Sequence, residues 1–165
     1  MKTKLDTSDW PGHVIRRLQQ IAVFVFHQET AGFDLTPTQF VTLLAVDNQP
    51  GLDQVRVSQV TAIDRSMTAR VVETLARRGF LQKKPGKTDK RANSLFLTSK
   101  GEQLVKRVLP YVKKAQAEIL QPLPATDRPE FLRMVRVILD AHETDADEIS
   151  SEEAAPKRRG RRKKS

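Results

Sequence analysis

The sequence predicts a mainly α-helical fold carrying one small β-hairpin, and three observations predict it. Apolar residues recur at three- and four-residue spacing through most of the chain. Residues 81–84 and 93–98 flank a Pro85-Gly86 turn, and in the second segment Leu95 and Leu97 alternate with Ser94 and Phe96. Directly before this hairpin lies a helix whose two faces differ in chemistry, one apolar and one cationic.

Residues 11–28 form the first helix, with Val14, Leu18, Ile21 and Val25 as one stripe. Phe24 projects from nearly the opposite side, so this helix calls for burial on more than one side. A central core helix would satisfy that, and so would a helix shared between a dimer interface and a pocket. Thr36-Pro37-Thr38-Gln39 is a capping box with proline at the first helical position. The second helix follows through Phe40, Leu43 and Leu44, and turn residues 48–51 end it. Asp64 caps the two-faced helix, whose apolar side is Met67, Val71 and Leu75. Gly79 sits at its C-cap. Thr98 caps a long helix from Ser99, with Leu104, Val105, Val108, Leu109, Val112 and Ile119 as its buried side. Pro110 falls inside and predicts a kink. A break at 121–125 precedes a last helix capped by Thr126 or Asp127, with Phe131, Met134, Val135, Ile138 and Leu139 on one face.

The polar side of the two-faced helix collects Arg65, Ser66, Ala69, Arg70, Glu73 and Arg77. A small residue at its centre permits close approach, and guanidinium forks match guanine edges and phosphates. An ordinary solvated helix face has the same look, but the hairpin placed directly behind it favours DNA. Between residues 65 and 91 there are nine Lys and Arg against two acids, Glu73 and Asp89. A helix followed by a basic hairpin is the winged-helix arrangement, with the helix in the major groove and the hairpin at phosphates or the minor groove.

Composition agrees. The chain has 165 residues, net charge +9 and a pI near 10.1, which favours an anionic partner. Its longest apolar run, residues 21–26, is too short to span a membrane, and residues 1–10 lack a signal-peptide core, so a cytoplasmic location is expected. There is no cysteine, which removes disulfides, thiolate zinc sites and thiol nucleophiles. His13, His27 and His142 lack metal-site spacing, and no phosphate loop or nucleophile elbow is present, so no cofactor and no enzymatic activity are expected.

Residues 89–98, DKRANSLFLT, match the D-x-R-x-x-x-L-x-L-T signature of MarR-family regulators, with Gly101 following as in that family. The resemblance spans residues 11–142. The segments PGHVIRRLQQIAVFVF, LTPTQF and PGLDQ further resemble the branch that controls breakdown of aromatic acids and aryl-CoA compounds. One departure is Thr61-Ala62, where the family usually has Leu-Gly. The resemblance implies a third helix over residues 53–61, which its β-branched content alone would not predict.

It also implies a division of the chain: an arm at 1–10, a helical dimerisation region at 11–35 and 99–142, and a winged helix-turn-helix at 36–98. Residues 143–165 follow as a disordered tail, acidic over 143–153 and basic over 157–164. The basic block either adds phosphate affinity or pairs with the acidic one. By analogy with the family, Arg65, Ser66 and Arg70 face the major groove and Arg91 the minor groove. Lys87 and Lys90 meet phosphates, and Asp89 braces the wing. The implied effector is a small aromatic acid or its coenzyme A thioester, with Phe24, His27, Phe40, Leu44 and Tyr111 as candidate walls and Arg16 and Arg17 as candidate anion contacts. The expected function is a homodimeric repressor on a near-palindromic operator; an effector-independent architectural DNA binder is the alternative.

Overall fold

The computed structural model describes residues 6–85 and 93–153, with side chains to residue 142. In chain order come α1 (Pro11–Glu29), α2 (Pro37–Asn48), α3 (Gln54–Thr61), α4 (Arg65–Arg77), β1 (Leu81–Pro85), β2 (Asn93–Leu97), α5 (Ser99–Ile119) and α6 (Arg128–Glu153). A 3-10 turn over Ala31–Phe33, not foreseen from sequence, joins α1 to α2. The chain divides after Leu120: α1 to α5 with the hairpin form one unit, and α6 belongs to a second.

Local chemistry sets the helix starts. Thr36 Oγ1 accepts from the Gln39 amide, and Gln39 Oε1 accepts from the Thr36 amide, both at 3.2 Å. Asp53 Oδ1 accepts from the Arg56 amide at 2.8 Å, and this cap helps fix α3 despite its β-branched residues. Val57, fully buried, anchors α3 in the core, while Val55 and Val60 stay exposed. Tertiary burial thus overrides weak propensity.

The first unit closes around Leu43, Val46, Val57, Val72, Leu75, Leu95 and Val108, none of them exposed. Burying each such side chain contributes roughly 1.5–3 kcal/mol. Phe26 joins them against Phe40, ring centroids 6.2 Å apart. In the antiparallel hairpin Leu81 lies opposite Leu97 and Lys83 opposite Leu95. The α2–α3 loop runs along the free side of β2: the Gly51 amide donates to the Leu95 carbonyl, and the Leu95 amide to that of Leu52, each at 2.8 Å. This fixes the base of the hairpin to the helical core.

Several expectations are corrected. On α4 the buried positions are Thr68, Val71, Val72 and Leu75, and Met67 is 42% exposed. The inward face is centred further along, on the fully buried Val72 and Leu75, and Thr68 joins it with its hydroxyl bonded to the Ile63 carbonyl at 3.3 Å. On α1 only Val25 and Phe26 are buried; Val14, Ile15, Ile21 and Phe24 remain exposed. α6 continues to Glu153, eleven residues past its expected end at His142. Residues 143–153 contain neither Gly nor Pro, so nothing in them stops a helix.

At the departure from Leu-Gly, Ala62 adopts the left-handed conformation, φ 53° and ψ 32°, that glycine occupies without strain. The Ser58 hydroxyl donates to the Ile63 carbonyl at 2.6 Å, and the Ile63 amide donates to the Ser58 carbonyl, so the turn is held. Ala62→Gly should raise stability by about 0.5–1 kcal/mol, relief of the left-handed strain outweighing the added unfolded-state freedom. A urea melt showing a midpoint at or below wild type would contradict this.

Candidate nucleic-acid interface

The N-terminus of α4 is built around Asp64. Its Oδ1 accepts from the Met67 amide at 2.9 Å and from the Ser66 hydroxyl at 2.7 Å. These two bonds, the hydroxyl first, hold the Asp64 carboxyl below the usual carboxylate range, with a smaller contribution from Arg70. Ser66 is thereby oriented while its oxygen keeps a free acceptor site.

From this start α4 presents Arg65, Ser66, Ala69, Arg70, Glu73 and Arg77 to solvent, as the helical spacing predicts. The acid on that face is neutralised: Glu73 accepts from Lys83 of β1 at 2.7 Å, and that bond lowers its carboxyl. The same pair fastens helix to hairpin. Arg65, Arg70 and Arg77 take part in no ion pair among the described residues. Arg56 on α3, which sequence reasoning passed over, is also exposed and donates to Gln59 at 3.1 Å. At the other end, Arg78 donates to Asp34 at 3.0 Å and to Gln39 at 3.4 Å, and lies over Phe80. The C-terminus of α4 is thus tied to the segment that starts α2. Lys87, Asp89, Lys90 and Arg91 lie outside the described residues.

A cavity of about 580 Å³ opens behind this surface. Phe26, Phe40, Val41, Leu44, Leu109 and Val112 form apolar walls; Thr38, Lys113 and Gln116 supply polar groups. Its remaining walls include Pro37 and Ile63, the residue that precedes the α4 cap. Of the residues expected to line a pocket, Phe40 and Leu44 do so. Phe24 does not: it is 60% exposed, because Phe26 takes the inward position on α1. His27 is exposed and meets the edge of Phe26, centroids 5.9 Å apart. Tyr111 packs on Phe33 at 5.1 Å, and Arg16 and Arg17 are exposed on early turns of α1. Sequence reasoning missed Lys113 and Gln116. Their signal was present, since residues 109, 112, 113 and 116 share one face of α5.

Known proteins share this architecture. The MarR family model matches residues 33–92. The HTH-type transcriptional repressor NicR of Pseudomonas putida is 28% identical over 141 residues, covering 86% of this chain and 89% of its own length. The PcaV transcriptional regulator of Streptomyces coelicolor, in complex with its natural ligand, superposes with a TM-score of 0.78 at 33% identity, covering 85% of this chain and 99% of that one. BpsR of Bordetella bronchiseptica, whose structure concerns regulation of DNA binding by 6-hydroxynicotinic acid, gives 0.78 at 29% identity, covering 84% and 99%.

Proposed function

We propose, since the chain belongs to the MarR family, that it is a homodimeric transcriptional repressor released from a near-palindromic operator by a small aromatic acid. The single observation carrying this is that the cavity wall adjoins the start of the cationic helix. The exposed cationic face of α4 begins at Arg65, directly after the Asp64 cap, and Ile63, the residue before that cap, forms part of the cavity wall. An occupant of that cavity acts directly on the entry to the reading helix.

Arg65, Ser66 and Arg70 read the major groove, and Arg56 adds a phosphate contact. Lys87, Lys90 and Arg91 carry the wing's contacts, braced by Asp89. Two copies join through α1, α5 and α6. In support, α1 leaves Val14, Ile15, Ile21 and Phe24 largely exposed, with Trp10 just before it, and α6 leaves Leu132, Met134, Val137, Ile138 and Leu139 so. Apolar faces of that extent call for a partner. The paired helices then meet successive major grooves about one DNA turn apart.

The cavity suits a free acid: its apolar walls take an aromatic ring, the Lys113 ammonium meets the carboxylate, and Thr38 and Gln116 serve ring substituents. The similarity to BpsR, described with 6-hydroxynicotinic acid, supports this class over a thioester. The effector must bind the DNA-free conformation more tightly, which shifts the population away from operator. Titrating the protein–operator complex with aromatic acids and, separately, their coenzyme A thioesters tests this. Free acid should release DNA, and Lys113→Ala should raise the required concentration roughly tenfold, the loss of one charged hydrogen bond. Release by thioesters alone, or by neither, would overturn the effector reading. The latter result, with little sequence preference, would favour an architectural DNA binder.

A further inference from the structure

We infer that a second ligand site, built for a flat aromatic carboxylate, lies between the 3-10 turn and the first turns of α5. A cavity of about 260 Å³ is lined there by Gly32, Phe33, Phe80, Lys100, Gln103, Leu104 and Arg107. It shares no residue with the larger cavity.

The four α5 residues fall at positions i, i+3, i+4 and i+7, so they make one continuous wall two turns long. A cation stands at each end of that wall, and each lies over one of the phenyl rings. The Lys100 Nζ is 4.7 Å from the Phe80 ring centroid, and the Arg107 guanidinium carbon is 5.8 Å from that of Phe33. Lys100 also donates to the Arg78 carbonyl at 3.0 Å, which fixes where its ammonium sits. Phe33 is held from behind by Tyr111, centroids 5.1 Å apart. Neither Lys100 nor Arg107 forms an ion pair among the described residues, and no acid lines the cavity.

Two rings and two cations without a carboxylate are half of a recognition set. The missing half is an anion, to accept charge-assisted hydrogen bonds, joined to a flat apolar surface that meets the phenyl rings. A bare inorganic anion would meet the cations and add nothing at the rings, and a neutral arene would leave both cations without an anion. An arene carboxylate satisfies both, and Gln103 adds a neutral donor and acceptor between the two ends.

The test uses amide NMR of the full-length protein with benzoate, inorganic sulfate and benzyl alcohol as separate probes. Gly32 and Gln103 report on this site, and Ile63 reports on the larger cavity. Benzoate should shift Gly32 and Gln103 saturably. Arg107→Gln, and independently Lys100→Gln, should weaken that response at least about fivefold while leaving any response at Ile63 unchanged. Three results would each overturn the site: benzoate shifts confined to Ile63, shifts at Gly32 and Gln103 that survive both substitutions, or sulfate or benzyl alcohol reproducing them at the same affinity. DNA binding does not enter the readout, so failure here is separate from failure of the repressor reading.

Discussion

Replacing Arg70 with alanine is expected to weaken operator binding about 100-fold or more while leaving stability within about 0.5 kcal/mol of wild type. Arg70 is exposed, on the second turn of α4, and makes no ion pair among the described residues. Its guanidinium is free to form a two-pronged contact with a base edge. One such contact is worth roughly 1–3 kcal/mol, and a dimer presents it twice per operator. The helix itself does not depend on it, because the Asp64 cap rests mainly on Ser66 and the Met67 amide. Anisotropy titrations on specific and scrambled duplexes separate the two roles open to this side chain. If Arg70 reads a base, its removal costs specific binding more than nonspecific binding. If it meets a phosphate, its removal weakens both alike and lowers the salt slope by about one unit for each phosphate released. Wild-type affinity in the variant would remove α4 from the interface.

Gly101→Ala is expected to destabilise the fold by about 1–3 kcal/mol. A Cβ at this position would lie 2.2 Å from the Phe80 carbonyl oxygen and 3.1 Å from its carbon. The obstacle is backbone, so no rotamer change relieves it. That carbonyl also accepts from the Thr98 amide at 3.0 Å, and Thr98 Oγ1 caps α5 by accepting from the Gly101 amide at 3.1 Å. The methyl group therefore pushes apart the joint between hairpin and α5 and strains the cap. Overpacking typically costs about 1–3 kcal/mol, loss of a cap about 1, and the better helix propensity of alanine returns about 1. A denaturant melt gives the value, and a variant as stable as wild type would show that the joint yields without strain.

Both substitutions fall on features visible before any coordinates. Period and cap chemistry located α1, α2, α4, α5 and the hairpin, because Thr36, Asp64 and Thr98 each place a side-chain oxygen where a helix must begin. The outward face of α4 followed from geometry alone. What stayed hidden has physical causes. α3 owes its helix to the Asp53 cap and the burial of Val57, and a strand-like run of side chains masks both. The inward choice of Phe26 over Phe24 depends on Phe40, fourteen residues away, and no local pattern records it. The polar end of the large cavity went unnoticed since Lys113 looks like any surface lysine until Val112 and Leu109 are seen to line the same cavity as α2. The C-terminal end of α4 is tied to the α2 segment through Arg78 with Gln39, and Ile63 and Pro37, 26 residues apart, line one cavity. Such ties link distant positions and leave no periodic trace.

The most direct measurement is a footprint of the full-length protein on the DNA upstream of its own gene, with and without aromatic acids. Two protected half-sites centred about one helical turn apart, vanishing on addition of the acid and absent with Arg70→Ala, are the predicted result. Continuous protection without half-sites, unchanged by any acid and retained by the variant, would contradict it.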